Sequence, residues 1–223
     1  MLAVQPTKCG VSTQRSTHSV DVKAPTPKEQ LLEILKKKSV CRGTFTLASG
    51  AQSDLYIDAK QTTQDPRGAI LVGRVGWEFV KRVARNLRVR IDSIGGLTMG
   101  ADPIASSIGI LARLEDPSSE LQTFVVRKEP KTHGRHKLIE GNFSAGDSVV
   151  IVDDVITTGG STLQAIDAVE AAGGKIAFVI VLVDRQEGGR ENIERRGYRV
   201  VPIFTRADLI GTHAGRRSDI AVA

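Results

Sequence analysis

The chain has few aromatic residues, few cysteines and no long apolar run, and each scarcity excludes a class of protein. Aromatic side chains make up 4% of the 223 residues, which argues against the stacking platforms that bind single-stranded nucleic acids. The cysteines, Cys9 and Cys41, are far apart and show no metal-binding or redox spacing, so a reducing compartment is expected. No apolar run approaches the ~20 residues that cross a bilayer. We therefore expect a cytoplasmic protein without a membrane partner.

Basic side chains outnumber acidic ones, which points to negatively charged ligands. The formal net charge is +6 and the pI is about 9.5, values that fit anionic ligands or a nucleic-acid surface. The basic residues concentrate in one segment, residues 127–137, and do not form a repeated stripe. Phosphorylated small molecules therefore fit better than DNA or RNA, and we expect no nucleic-acid partner.

The distribution of apolar residues predicts one α/β domain behind a disordered extension. Residues 1–27 are rich in Ser, Thr, Pro and Lys and show no hydrophobic period, as is typical of disorder. Residues 28–223 form the predicted domain, in which about 28–60 make a small hood segment of one helix and one hairpin. Over about residues 61–210 strands and helices alternate, which predicts an open, mainly parallel, twisted sheet flanked by helices.

Hydrophobic periodicity places the individual elements of this domain. Helices are predicted over residues 28–38, 67–87, 101–113 and 161–172, a hairpin over 45–57, and strands over 91–94, 121–126, 148–152, 176–183 and 198–204. Ligand sites in open parallel sheets lie at the carboxyl ends of the strands. Trp77 is predicted to pack inside the domain.

The most informative segment, residues 148–162, combines an apolar strand, two adjacent acids and a turn rich in hydroxyls and glycines. Its β-branched residues 149–152 suit a buried parallel strand that opens into a ligand crevice. Apolar residues at helical spacing begin at Leu163, so the turn leads into a helix N-terminus, where unpaired backbone N–H groups and the helix dipole favour an anion. Glycines let the chain approach a phosphate, and hydroxyls donate to it. The turn is therefore predicted to bind a phosphate.

Asp153 and Asp154 indicate what carries that phosphate. Two adjacent carboxylates suit the vicinal hydroxyls of a ribose, and we expect both side chains to face the ligand where the strand ends. The turn has neither the lysine of a Walker A loop nor the glycine spacing of a dinucleotide-binding fingerprint. The alternative is a strand followed by an acidic, glycine-containing turn in which an aspartate caps the next helix.

Residues 149–161 resemble the phosphoribosyl-pyrophosphate (PRPP) motif of type I phosphoribosyltransferases over its whole length. That motif has four apolar residues, two acids, two further apolar residues and then Thr-x-Gly-x-Ser/Thr, and each position is matched here. The resemblance implies the open, mainly parallel sheet of that fold, with a PRPP site at the end of the strand.

A second segment, residues 124–141, begins as a short apolar strand and continues as a loop of mostly basic residues with Pro and Gly. Charge of one sign resists packing when the loop is empty, and a polyanion orders such a loop. The order Arg-Lys-Glu-Pro-Lys-x-His-Gly is similar to the hood loop of orotate phosphoribosyltransferases. Residues 127–137 are called the basic loop below. The alternative interpretation is a solvated basic surface loop.

The resemblance to orotate phosphoribosyltransferases implies transfer of the phosphoribosyl group from PRPP to orotate in de novo pyrimidine (UMP) biosynthesis. The products are orotidine 5'-monophosphate and pyrophosphate. Mg²⁺ is the implied cofactor, held mainly through substrate oxygens and not by protein ligands. A homodimer with shared active sites is also implied, because the family's hood loop closes over the neighbouring subunit's site.

The same resemblance assigns the site residues. The catalytic residues that it implies are Lys131, His133, Asp153 and Asp154. Orotate is expected to pair its carboxylate with Arg185 in bidentate fashion and to hydrogen-bond Thr157. The residues expected to bind PRPP are Arg127, Lys128, Lys131, His133, Asp153, Asp154, Val155, Ile156, Thr157, Thr158, Gly159, Gly160 and Ser161.

Three further segments are similar to parts of the family, and two positions depart from it. Residues 45–58 resemble the base-binding segment, 95–105 the glycine-rich loop against which pyrophosphate lies, and 183–187 the strand end with an arginine on the pyrimidine. Ala48 and Met99 stand where members often carry lysine, although Lys60 can compensate from the same region.

Two other functions stay open at this point. One is a phosphoribosyltransferase for another base, such as a purine, against which Arg185 and the basic loop argue. The other is a non-catalytic regulator that senses PRPP and binds DNA. Such regulators usually carry an added recognition domain, and residues 1–27 are too few to form one.

Overall fold

The computed structural model describes residues 24–46, 52–129 and 138–211. Along the chain its elements are α1 (Pro27–Lys38), β1 (Val40–Thr46), β2 (Gln52–Ile57), α2 (Lys60–Thr63), α3 (Pro66–Leu87), β3 (Ser93–Leu97), α4 (Ala101–Glu115), β4 (Gln122–Val126), β5 (Ile139–Gly141), β6 (Ser148–Ile156), α5 (Gly160–Ala171), β7 (Lys175–Asp184), α6 (Gly189–Glu194), β8 (Val200–Thr205) and α7 (Arg206–Ile210). No helix within these ranges combines the length and the apolarity that a membrane crossing requires.

Six of the described strands form one sheet in the order β5-β4-β3-β6-β7-β8, and β1 and β2 form a separate antiparallel hairpin. Neighbouring strands from β4 through β8 run parallel, whereas β5 pairs with β4 antiparallel. The predicted α/β fold with an open, mainly parallel sheet is confirmed. The carboxyl ends of β3, β6 and β7 therefore meet at one edge of the sheet, where ligands bind in such folds.

Helices cover both faces of the sheet because alternate residues of the central strand β6 are apolar on both sides. Val150 and Val152 pack with α1, α3 and α4 in one buried cluster, which also holds Trp77, as predicted. Val149 and Ile151 pack with α5 in a second cluster on the opposite face. The two cores fix the position of β6 and of the turn that follows it.

The hood segment begins one residue earlier than its predicted boundary at residue 28. Thr26 caps α1 in a capping box with Glu29. Pro27 occupies the first helical turn, where a backbone N–H has no acceptor within the helix, so the N–H that proline lacks is not needed. The start of the helix is therefore set by local side-chain chemistry. Residues 1–23, the greater part of the predicted extension, lie outside the described residues.

Strand β3 lies further along the chain than residues 91–94, where a strand was predicted, and it contains two glycines. A Cβ atom on Gly95 would lie 2.3 Å from the carbonyl oxygen of Phe124, and one on Gly96 would lie 2.1 Å from that of Val152. Both distances are far below van der Waals contact, so the neighbouring strands leave no room for a side chain. These glycines therefore keep β3 between β4 and β6.

Candidate active site

Strand β6 continues through both aspartates and does not end before them. Asp153 lies opposite Val181 and Ile156 opposite Asp184 in the parallel pairing with β7. Because successive side chains of a strand point to opposite faces of the sheet, the two carboxylates diverge. Asp153 points toward α5 and Asp154 toward α4, so the two side chains have different surroundings, and their contacts with a ligand stay a prediction.

Asp153 is a buried carboxylate whose side chain is 6% exposed. Its Oδ2 accepts a hydrogen bond of 2.7 Å from the Thr162 hydroxyl in the first turn of α5, and its Oδ1 accepts one of 2.9 Å from the Asp154 backbone N–H. Burial, opposed by the Thr162 hydrogen bond and assisted by the negative charge of Asp154, raises the pKa of Asp153 from 3.8 to about 7. Asp153 thus ties the strand to the start of α5.

This raised pKa predicts a specific pH dependence of stability for the ligand-free protein. The folded state favours protonated Asp153, so the contribution is fully present below the ordinary pKa of 3.8 and is lost as pH rises through about 7. Relative to the Asp153→Asn variant, the wild type is expected to lose up to about 4 kcal/mol of unfolding free energy over that range. Urea unfolding of both proteins from acidic to neutral pH measures the difference. Parallel curves would show that Asp153 titrates normally.

Asp154 is the partly exposed carboxylate of the pair. A Cβ atom on Gly100 would lie 2.6 Å from Asp154 Oδ1, so the carboxylate rests against the N-terminus of α4, where the helix dipole favours negative charge. A hydrogen bond to the Asp58 carboxylate is the main cause that raises the pKa of Lys60, and the charge of Asp154 adds to it. The predicted cation Lys60 therefore lies within electrostatic reach of Asp154.

The turn after β6 has the geometry of an anion site. Gly159 has a φ of +82°, and a Cβ atom there would also lie 2.8 Å from the Gly189 carbonyl oxygen, so a larger residue is excluded twice. The first hydrogen bond into α5 runs from Leu163 N to Gly159 O at 2.9 Å. The backbone N–H groups of residues 160–162 therefore have no acceptor within the helix and point out of its N-terminus.

The predicted PRPP-binding residues of this turn differ in exposure. Ile156 is buried in the core and Val155 is partly buried, so both side chains pack and only their backbone faces the turn. Thr158, Gly160 and Ser161 are exposed. The hydroxyls that can reach a phosphate therefore lie after the strand, as the sequence indicated.

Of the basic loop, only its first three residues, 127–129, are described. The Arg127 guanidinium lies 3.9 Å from the Glu140 carboxylate, and its backbone N–H donates to the Leu138 carbonyl oxygen at 2.8 Å. The Gln164 side-chain amide donates to the Lys128 carbonyl oxygen at 3.0 Å, so the loop leaves the sheet beside α5. Lys131 and His133 lie outside the described residues.

The glycine-rich turn between β3 and α4 faces the same strand ends. The Thr98 N–H donates to the Val126 carbonyl oxygen at 2.8 Å, and its hydroxyl donates to Asp102 at 2.7 Å. Met99 is 64% exposed, so this position, named above as a departure from the family, presents its side chain to solvent. A cation there would reach the ligand side without disturbing the core.

Arg185 follows the end of β7 and links the core to the hood segment. It is 5% exposed, its backbone N–H donates to the Ile156 carbonyl oxygen at 3.1 Å, and its Nη2 donates to the Leu55 carbonyl oxygen at 3.4 Å. The same Nη2 lies 2.7 Å from a carboxylate oxygen of Glu187. The sequence predicted the arginine at this strand end but not Glu187 as its partner. The spacing of two residues between them was the signal that could have indicated the pair.

Comparison with known proteins identifies the relatives of this chain. The phosphoribosyl transferase domain family matches residues 74–204. Orotate phosphoribosyltransferase of Aquifex aeolicus is 41% identical over 186 residues, which cover 82% of this chain and 97% of that protein. The orotate phosphoribosyltransferase of Rhodopirellula baltica is 40% identical over 80% of this chain and 92% of its own length.

Solved structures give the same result. The Mycobacterium tuberculosis H37Rv orotate phosphoribosyltransferase in complex with PRPP superposes with a TM-score of 0.67 and 35% identity, over 82% of this chain and 99% of that one. The family match covers the strand–turn–helix site of residues 148–162. The chain belongs to the orotate phosphoribosyltransferases of the phosphoribosyltransferase family.

Proposed function

We propose that this protein transfers the phosphoribosyl group of PRPP to orotate, giving orotidine 5'-monophosphate and pyrophosphate in pyrimidine biosynthesis. The observation that carries the proposal is the meeting of two features at the strand ends. One is the exposed N-terminus of α5, which follows the strand end that carries the two aspartates and suits a ribose phosphate. The other is the buried cation Arg185 at the end of β7, which suits the carboxylate that distinguishes orotate from other bases.

The roles of the aspartates follow from their surroundings. Displacement of pyrophosphate from C1 of the ribose develops positive charge on the sugar, and a preorganised negative group lowers the energy of that state. Asp154 is the carboxylate that faces the ribose in this proposal. Asp153 acts indirectly in this proposal, because its hydrogen bond to Thr162 orients the first turn of α5, which binds the phosphate. Orotate is itself anionic and needs no dedicated general base.

The leaving pyrophosphate requires positive charge. We propose that Lys131 and His133 of the basic loop supply it together with Arg127 and Lys128, and that the closed loop excludes water from the reacting sugar. The anchoring of Lys128 beside α5 supports this role, because it starts the loop next to the phosphate-binding turn.

Mg²⁺ fits the residues at this edge of the sheet. The ion prefers oxygen ligands and usually keeps waters and substrate phosphate oxygens with only one or two carboxylates, and Asp154 is the partly exposed carboxylate at the site. Among the described residues, no group of three or more His, Cys, Asp or Glu could hold a metal. We propose that Mg²⁺ is held mainly through PRPP, where it supplies charge neutralisation to the pyrophosphate. The cytoplasmic location remains a prediction from the sequence.

An absorbance assay tests the proposed reaction. Mixing the protein with orotate, PRPP and Mg²⁺ is expected to remove the orotate absorbance, and omission of PRPP is expected to abolish the loss. Adenine and uracil serve as competing bases in parallel reactions with PRPP. Preferred use of adenine would identify a phosphoribosyltransferase for another base, and PRPP binding without turnover of any base would identify a sensing regulator.

We propose that the active enzyme is a homodimer whose basic loops serve the partner's sites. Exposed apolar side chains on and just before α4 support an interface there. Ile110 and Leu114 lie one turn apart on α4, and Met99 precedes that helix. Burial of such side chains in a dimer removes apolar surface from water.

Subunit mixing tests loop sharing. Lys131→Ala and Asp154→Asn homodimers are each expected to be nearly inactive. A mixed dimer contains one site in which both Lys131, from one subunit, and Asp154, from the other, are intact. Reassembly of the two variants at equal amounts is therefore expected to restore part of the activity, up to about a quarter of the wild-type sites if pairing is random. No recovery in a verified heterodimer would show that each loop serves its own subunit.

A further inference from the structure

A groove of about 960 Å³ runs along the edge strand β8 and is also lined by residues of α1, α3, α6 and α7. Its volume is in the range of small-molecule sites, ~300–1,000 Å³. None of the described residues that the proposed reaction uses lines it. The partly exposed Tyr198, Val201 and Pro202 supply apolar walls. The cationic side chains that line the groove outnumber the acidic ones by two. The groove therefore combines apolar surface with uncompensated positive charge.

Lys28 is the central cation of this groove. Its ammonium lies 5.4 Å from the ring centroid of Phe79 and 5.5 Å from that of Phe204, and it has no ion pair or hydrogen-bond acceptor among the described residues. Burial lowers the pKa of Lys28, opposed by the charge of Asp208 and assisted by that of Arg82. Cation–π contacts stabilise the charge but satisfy none of its three N–H donors.

The other charged groups show why the excess is available to a ligand. The Arg82 guanidinium lies 4.2 Å from the Phe79 ring centroid, and neither it nor Arg199 makes an ion pair within the described part of the chain. The acids are engaged elsewhere. Asp208 accepts hydrogen bonds from the N–H and hydroxyl of Thr205 at 2.8 and 2.9 Å, and Glu194 pairs with Arg190 at 2.9 Å.

We infer that this groove binds a phosphate monoester with an attached ring system, such as a nucleoside monophosphate, at a second site distinct from the PRPP site. A phosphate monoester carries a charge of about −1.5 to −2, which matches the excess of two cations in the groove. Arginine forks and a lysine ammonium are the side chains that bind phosphate oxygens. The apolar walls provide the surface on which the ring packs.

A small molecule fits this groove better than an added peptide strand. Strand β8 is an edge of the sheet and pairs only with β7 among the described residues, so its outer backbone groups can hydrogen-bond a ligand. Pro202 lies in the middle of that strand and has no N–H to donate. Proline in an edge strand is a typical block to strand addition. The edge is therefore open to single hydrogen bonds with a ligand but not to a continuous ladder.

Calorimetric titration with UMP tests the inference. The full-length protein is first saturated with PRPP and Mg²⁺ in the absence of orotate, which fills the active site. One UMP per subunit is then expected to bind, at least tenfold more tightly than uridine or inorganic phosphate. Lys28→Met and Arg82→Gln are each expected to weaken UMP binding about 10- to 100-fold. Lys37→Met on the exposed face of the same helix is the matched control and is expected to leave it unchanged.

Three results would overturn the proposal. They are the absence of UMP binding to the PRPP-saturated protein at millimolar concentration, equal affinity in the Lys28→Met and Lys37→Met variants, and binding of inorganic phosphate as tight as that of UMP. The turnover of orotate without UMP is expected to be unchanged in Lys28→Met, which separates this site from the active site. If Lys28→Met fails to fold, the exposed Arg82→Gln change gives the same measurement.

Discussion

Replacement of Asp154 by asparagine is expected to lower kcat by about 10²- to 10³-fold, because in the proposed mechanism it removes a negative charge that faces the sugar as positive charge develops there. Asparagine keeps the size of the side chain and its oxygen, so the hydrogen bond of 2.8 Å from the Val155 N–H can persist. The fold is therefore expected to be preserved. Steady-state kinetics at saturating orotate and PRPP measures the change, and thermal unfolding verifies the fold.

Asp167→Asn is the matched control for this prediction. Asp167 lies on the exposed side of α5 and pairs with Arg196 at 2.6 Å, an exposed ion pair of the kind that contributes little to stability. The same chemical change there is expected to leave kcat within about twofold of the wild type. A folded Asp154→Asn enzyme with near-normal kcat would mean that Asp154 does not face the ribose.

The strand–turn–helix site could be predicted from the sequence because its determinants are local. An unbroken β-branched run, two glycines and the return of apolar residues at helical spacing lie within about twenty residues of each other, and each indicates its own element. The opposite orientations of Asp153 and Asp154 could not be predicted in the same way. They depend on whether β6 ends before or after the acids, and the pairing of Ile156 with Asp184 decides that.

Strands without a clear apolar pattern of their own could not be predicted either, because they form through pairing with distant parts of the chain. Strand β5 has three residues and exists because Val125 pairs with Glu140 across the basic loop, a contact between distant parts of the chain. Strand β1 begins at Val40, ahead of the predicted 45, because Cys41 and Arg42 pair with β2 in a stretch without alternating apolar residues. Tertiary pairing overrides weak local preference in both cases.

The surroundings of Arg185 likewise combine a local and a distant contact. Glu187 lies two residues away, and the Leu55 carbonyl oxygen comes from the hood segment, 130 residues distant in the chain. The sequence predicted the position of the arginine at a strand end. It could not predict that the guanidinium pairs with the Glu187 carboxylate, which orotate would have to displace or share in the proposed base pocket.

Truncation of Arg185 to alanine is expected to weaken orotate binding much more than PRPP binding. Loss of one partner of a desolvated charge pair costs about 2–5 kcal/mol, which corresponds to about 30- to 4,000-fold in affinity. Uracil lacks the carboxylate, so it is expected to bind poorly to the wild type and to respond little to the change. Separate titrations of orotate, uracil and PRPP on the two proteins measure these differences.

Glu187→Gln gives the converse test of the same pair. If orotate pairs with Arg185 as proposed, it competes with the Glu187 carboxylate, which lies 2.7 Å from the guanidinium. Glutamine removes the competing charge while keeping the size of the side chain. Because a partly exposed ion pair contributes about 1 kcal/mol or less, orotate is expected to bind up to about fivefold more tightly, with PRPP unchanged. Arg185→Ala combined with Glu187→Gln is then expected to bind orotate as weakly as Arg185→Ala alone. Equal losses for orotate and PRPP in Arg185→Ala would instead remove Arg185 from the base pocket, since a residue that only supports the fold cannot discriminate between the two substrates.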